Sequence, residues 1–253
     1  MERNIYSFLL IHLLFSVIPA LQYAEASSVI ISKVVHVRFL KTWLSARYYC
    51  RRYYTDLVTM RNTREAVKLA PYNGWIGLYR QASDGVWKWS RGDENASNVI
   101  WDYDEPDSGE DCVLKYMSYE TLESDNCSHL HYALCTDDRL ILVQEMKTWE
   151  EAFQHCKKLQ YNLASFSDAD NAVLDRETIG QSATTDEVWV GMRFLAGEWL
   201  WMGGQTVSSS YLPHCPAHQQ HCAALVHNDT QWKIMDCAEK RNFLCYQNSK
   251  YWG

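Results

Sequence analysis

The chain has 253 residues, 47% of them apolar and 22% charged, a composition that excludes a disordered, collagen-like or polytopic membrane protein. With 24 basic residues against 31 acidic ones and a net charge of −7, it lacks the Lys and Arg surplus that displaces phosphate counterions, so nucleic acid is not an expected partner. Nine Cys, 11 Trp and 16 Tyr point to small, cross-linked cores in an oxidising compartment.

In chain order, Arg3 precedes an apolar run from Phe8 to Leu21, followed by Ala24-Glu25-Ala26. This has the form of a signal peptide over residues 1–26, cut before Ser27. An uncleaved anchor is the competing reading, but the run is short for a bilayer and is interrupted by His12 and Pro19. Next, Val34 to Leu40 is β-branched and apolar, which predicts a strand. Thr42 follows as the cap of a helix that ends past Cys50. A second helix fits Asn62 to Leu69, and the residues beyond it alternate in strand fashion between glycine turns.

The same order then returns: a strand over Leu140 to Gln144, Thr148 capping a helix past Cys156, and a second helix over Asp168 to Ile179. Ala169, Ala172, Val173 and Ile179 lie largely on one face of the latter. Helices first and short strands later predict an α+β fold.

The return is an internal repeat. Cys112, Cys127 and Cys135 are spaced 15 and 8 apart, as are Cys222, Cys237 and Cys245, with Cys50 and Cys156 upstream. Thr42-Trp43 matches Thr148-Trp149. Trp75-Ile-Gly-Leu78 matches Trp189-Val-Gly-Met192, and Gly85-Val-Trp-Lys-Trp89 matches Gly197-Glu-Trp-Leu-Trp201. Two copies of one module are expected, at 33–137 and 138–247, meeting at Thr136 to Arg139. With no Pro- or Gly-rich linker there, they are expected to lie close together. The spacings alone leave the disulfide connectivity open.

These ordered motifs resemble the C-type lectin-like domain, twice over. The resemblance implies two consecutive domains, each with two helices and short antiparallel strands. It also implies nested disulfides: Cys50 with Cys135, Cys112 with Cys127, Cys156 with Cys245, and Cys222 with Cys237. Glu105-Pro106-Asp107, with Glu110 beyond it, resembles the family's Glu-Pro-Asn calcium loop, whose proline is characteristically cis. That likeness implies a calcium ion in the first copy alone, held by Glu105, Asp107 and Glu110, with oxygens of Glu123 and Asp125 within reach. A solvated acidic loop is the alternative.

The first copy departs from the family pattern at two places. Asp107 stands for the asparagine, and an ionised Asp cannot donate to a sugar hydroxyl. Leu122-Glu123-Ser124 stands where the family has Trp-Asn-Asp. In the second copy Cys215-Pro216-Ala217 and Trp232-Lys233-Ile234 occupy the two positions. Thiol, methyl and ammonium groups cannot build a hard-oxygen cage, so no calcium is expected there, and Trp232 is expected in the core.

Cys215 is the odd cysteine, which suggests an intermolecular disulfide and a homodimer, or a free thiol. With His214, His218 and His221 around it, zinc is a further reading of that loop. Tyr48, Tyr49, Tyr53 and Tyr54 are read as packing rather than sugar platforms. Sequons at Asn95, Asn126 and Asn228 fit a secreted, extracellular glycoprotein. No nucleophile, zincin or phosphate-loop motif occurs, so no enzyme is expected. The resemblance implies calcium-dependent carbohydrate recognition of glycans or glycoproteins. Calcium-independent binding of an extracellular protein ligand is the alternative.

Overall fold

The computed structural model describes residues 27–247 except 61, 63–64, 67–68, 82–84, 117–120, 167–173, 205–206 and 208–211, so the expected signal peptide lies outside the described residues. The elements run β1 (Ser28–Lys41), α1 (Trp43–Tyr53), β2 (Asp56–Leu57), β3 (Gly74–Arg80), β4 (Trp87–Trp89), β5 (Glu94–Asn95), β6 (Cys112–Lys115), β7 (Leu122–Asp125) and β8 (His131–Lys147). They continue with α2 (Trp149–Lys158), β9 (Tyr161–Leu163), α3 (Arg176–Ser182), β10 (Glu187–Leu195), β11 (Glu198–Trp201), β12 (Cys222–Val226), β13 (Trp232–Met235) and β14 (Arg241–Gln247). No helix among the described residues is long and apolar enough to cross a membrane.

Both principal helices begin where a threonine supplies the cap. Thr148 Oγ1 accepts from Glu151 N–H, and the Glu151 carboxylate accepts from Thr148 N–H at 2.9 Å, a reciprocal capping box. Thr42 caps α1 through Ser45 N–H, but the third helical residue there is Ser45, so no carboxylate returns the bond. The second helix of the later copy differs from the expected Asp168–Ile179. Leu174 and Asp175 are not helical, because Asp175 accepts from Thr178 N–H at 3.0 Å and thereby starts α3 at Arg176. Residues 168–173 of that expectation lie outside the described residues. In the first copy, Glu65, Ala66 and Leu69 are helical within the expected Asn62–Leu69.

The repeat is visible in the bonds its motifs make. Trp43 Nε1 donates to Ile76 O and Trp149 Nε1 to Val190 O, both at 2.8 Å. In return, Trp75 Nε1 donates to Lys41 O and Trp189 Nε1 to Lys147 O. Each Thr-Trp helix start is thus locked to its Trp-x-Gly strand by two indole N–H groups, which satisfies four buried or part-buried polar atoms at once. Four disulfides, Cys50–Cys135, Cys112–Cys127, Cys156–Cys245 and Cys222–Cys237, join each helix to the last strand of its copy and close each inner loop. In the chain-entropy view a 15-residue loop of that kind contributes about 3 kcal/mol.

All fourteen strands form one mixed sheet, ordered β13-β12-β10-β14-β8-β3-β4-β5 on its main path. It is not purely antiparallel, since β10 runs parallel to β14 and β3 parallel to β8. Nor are the strands all short. β8 passes without a break through the Thr136–Arg139 junction, and β1 pairs with it from Lys41↔His131 to Ser28↔Val143. The apolar residues of β1 continue upstream of the expected Val34 start through Val29, Ile30 and Ile31, which extends the strand. Its Val37 joins the core of the first copy with Trp43, Trp75 and Leu114, whereas its Ile31 is buried in the second with Leu140, Leu142 and Leu244.

Candidate functional site

The loop between β5 and β6 is organised by Asp102. Its carboxylate accepts from Tyr103 N–H at 2.7 Å and Thr121 Oγ1 at 3.1 Å, and its own N–H donates to Leu122 O. These bonds tie the loop to the start of β7. Beyond Asp102 the chain turns through Asp104 at φ 63 and the cis Glu105–Pro106 bond.

Ser124 is the centre of the group. β7 alternates buried and half-buried side chains, so Leu122 and Ser124 face inward. Ser124 N–H and Oγ donate to Glu105 Oε2 at 2.8 and 2.6 Å, and Ser124 Oγ lies 2.9 Å from Glu110 Oε2. The same hydroxyl accepts from Asp107 N–H at 2.8 Å. One serine thus gathers Glu105, Glu110 and the backbone of Asp107, while the Asp107 side chain is exposed to solvent. Sequence reasoning placed Ser124 at the family's Asp position without giving it a role. A hydroxyl in an acidic loop was the signal.

Negative charge dominates the loop's electrostatics, although the Arg80 guanidinium reaches Glu110 O at 3.0 Å and pairs with Asp111. Burial raises the Glu123 carboxyl above its ordinary range, and the charges of Asp102 and Glu105 push it further. The Tyr116 phenol is raised for the same reasons, with Glu123, Asp125 and Glu105 as its neighbours. The loop therefore brings Glu105 and Glu110 to one neutral hydroxyl, with Glu123 near enough to feel the Glu105 charge and Asp107 exposed. Hard oxygens with surplus negative charge are the donor type that calcium takes, so these residues fit that ion in chemistry. Asp125 is not part of the group, because its two oxygens face His129 and His131.

The corresponding strand of the second copy has settled differently. Lys233 forms an ion pair with Glu187, which also accepts from Arg241 Nε at 3.1 Å. Burial raises the Glu187 carboxyl, and the two cations more than reverse this and hold it below the ordinary range. The ammonium of an exposed lysine stands in this strand, and Ala217 offers no oxygen side chain. Trp232 is buried, stacked on Phe166 with centroids 5.8 Å apart and edge-on to Trp201.

Cys215 is free and exposed. Among the described residues, it and His214, His218 and His221 do not assemble as a three-ligand metal group. Asn95, Asn126 and Asn228 are all exposed. Of the tyrosines around α1, Tyr49 and Tyr54 pack against the first core, while Tyr48 and Tyr53 stand at its rim.

The Lectin C-type domain family matches residues 40–137 and again 145–247. The chain belongs to that family and carries its domain twice. It is 23% identical over 249 residues to lymphocyte antigen 75 of Homo sapiens, a match covering 81% of this chain and 14% of that protein. It is 22% identical over 245 residues to the secretory phospholipase A2 receptor of Oryctolagus cuniculus, covering 81% of this chain and 17% of that one. The chain therefore spans less than a fifth of the length of either protein. Lectoxin-Phi1, a C-type lectin of Philodryas olfersii, is 28% identical over 114 residues, covering 41% of this chain and 73% of its own. Among solved structures, the C-type lectin CEL-I of Cucumaria echinata aligns with a TM-score of 0.38 at 19% identity, covering 42% of this chain and 89% of that one. The family is one of lectin and lectin-like recognition domains, not of enzymes.

Proposed function

We propose that the protein is a secreted recognition protein that binds carbohydrate through its first copy, with Glu105, Asp107, Glu110 and Glu123 as the residues that hold calcium. The convergence of Glu105 and Glu110 on Ser124 Oγ carries this reading, since it brings two carboxylates to one point. Calcium bound there supplies open coordination positions for a pair of neighbouring sugar hydroxyls. The protein's own part is to aim the two glutamates through Ser124 and to keep Asp107 exposed at the rim, where a sugar would meet an acceptor but no donor. The second copy, with Lys233 in its strand, takes no part in calcium binding.

The test is a glycan array with the folded protein in calcium and then in chelator. Binding that chelator removes, and that Glu105→Gln abolishes, is the expected result. Glycan binding indifferent to both would overturn the calcium mechanism. A second reading is calcium-independent recognition of an extracellular protein ligand. It draws on the Ser124 N–H and hydroxyl, which satisfy Glu105 without an ion. Silence on the array from folded protein in both conditions favours it.

Secretion rests on residues 1–26 together with the exposed sequons, and a shift of the secreted product on treatment with a glycosidase tests it. The exposed Cys215 thiol offers a covalent homodimer, read by non-reducing electrophoresis against Cys215→Ser.

A further inference from the structure

The turn between β7 and β8 gathers a second set of ligating side chains that the calcium loop does not use. Asp125 ends β7, His131 opens β8, and His129 lies in the turn between them. This turn is held from several sides. Cys127 is bonded to Cys112, Trp43 N–H donates to Cys127 O at 3.0 Å, and Asn126 Oδ1 accepts from Ser128 N–H at 3.0 Å. On that support Asp125 Oδ1 lies 2.8 Å from His129 Nδ1, and Asp125 Oδ2 lies 2.7 Å from His131 Nε2. One ligand atom from each of the three residues lies within 4.8 Å of the others. The Asp125 side chain is 16% exposed and His131 29%, with its ring edge-on to Trp75, whereas His129 is 62% exposed.

We propose that Asp125, His129 and His131 form a zinc site with a fourth position open to water or to a ligand from a partner molecule. One carboxylate and two imidazoles are a donor set for Zn²⁺, while calcium, which takes oxygen, has little use for the ring nitrogens. A tetrahedral centre with bonds of about 2.0 Å sets its ligand atoms about 3.3 Å apart. With Asp125 Oδ1 as the ligating oxygen, its contact with His129 Nδ1 opens by about half an ångström, while ligand atoms that stand up to 4.8 Å apart close by at most about 1.5 Å, a movement within reach of rotation of the exposed His129 ring and the Asp125 carboxylate. Without metal each neutral imidazole can donate to one carboxylate oxygen. On binding, each imidazole exchanges tautomer through solvent, so that its single proton leaves the coordinating nitrogen and one is taken up at His129 Nε2 or His131 Nδ1, with no net release. The site stands whether or not the first copy binds sugar.

The experiment is calorimetric titration of the full chain, disulfides intact, with zinc chloride in saturating calcium, so that the acidic loop is already occupied by its preferred ion. One zinc per chain is expected. His129→Ala removes an exposed ring, and His131→Gln provides an independent loss. Each should weaken binding at least about 100-fold, beyond the 10- to 100-fold that losing an outer hydrogen-bond partner costs. A variant with Cys215→Ser and His218→Ala should bind as the parent does. Unchanged zinc affinity in His129→Ala and His131→Gln overturns the proposal, as does absence of one-to-one binding by folded parent protein. Loss confined to the Cys215 and His218 variant also overturns it and moves the ion to that loop.

Discussion

At the scale of single residues, Gly77 and Gly191 hold equivalent places in the two Trp-x-Gly strands, and neither is there for its backbone angle. A Cβ on Gly191 would meet Leu163 O at 2.5 Å, whereas one on Gly77 would meet Val58 O at 3.1 Å. We expect Gly191→Ala to destabilise by about 3 kcal/mol and Gly77→Ala by about 1, the two ends of the usual overpacking range, read by denaturant titration. Asp107 offers a gain instead of a loss. Asp107→Asn restores a donor at the rim of the loop, and one added hydrogen bond of about 1 kcal/mol should raise sugar affinity roughly fivefold on the array. Glu187 sets a pH dependence whose sign is fixed by its partners. Its carboxyl is held below the ordinary value in the folded protein, so its stabilisation is fully present above the unfolded value of about 4.3 and is lost as pH falls through the folded one. Glu187→Gln should therefore be less stable than the parent at pH 7 by about 1 to 3 kcal/mol. The gap should close progressively below about pH 4. A gap that stays constant on acidification would show that the pair with Lys233 and Arg241 contributes nothing through charge.

At the scale of elements, the two principal helices separate cap from context. Thr148→Ala combined with Glu151→Ala removes both halves of the capping box from α2 and should cost about 1 to 2 kcal/mol, while Thr42→Ala on α1 removes a single bond and should cost about half as much, compared by thermal melting. These starts were legible because a cap and an apolar period are local signals. So were the paired tryptophan strands, whose indoles reach only to the neighbouring motif. The upstream half of β1 was not legible, because its partner residues 140–143 lie in the other copy and register across more than a hundred residues leaves no local trace. The start of α3 was missed because a continuous apolar period hid the cap at Asp175. In the candidate site, Glu105 and Glu110 could be read from the loop motif. The bridging role of Ser124 could not, nor could the turning of Asp125 toward the histidines. Asp125 sits next to the loop in sequence, but strand alternation gives it a different face from Ser124.

At the scale of the whole molecule, β8 makes two modules into one sheet, and the junction is sealed by Arg139. Its guanidinium donates to both oxygens of Asp137 at 2.7 and 2.6 Å, and lies over the rings of Tyr54 from the first copy and Tyr246 from the second. Asp137 is buried, and its other described side-chain partner is the Tyr246 hydroxyl at 3.3 Å. Removing the arginine would leave a buried carboxylate without its cation, a loss of about 3 kcal/mol or more. For a chain of this size that corresponds to a melting temperature lower by about 6 to 12 °C. Because β1 and β8 cross from one core to the other, we expect the parent to unfold in a single calorimetric transition. Arg139→Ala should shift that whole transition downward, and Arg139→Lys, which keeps the charge but loses the fork, should fall between them. Two well-separated transitions in the parent, or a shift confined to one copy in Arg139→Ala, would mean that the shared strands align the modules without coupling their stabilities. The loop of the first copy could then open and close independently of the second. A single shifted transition instead means that a ligand held at Glu105 is felt thermodynamically across the junction, since whatever binds only the folded first copy stabilises both.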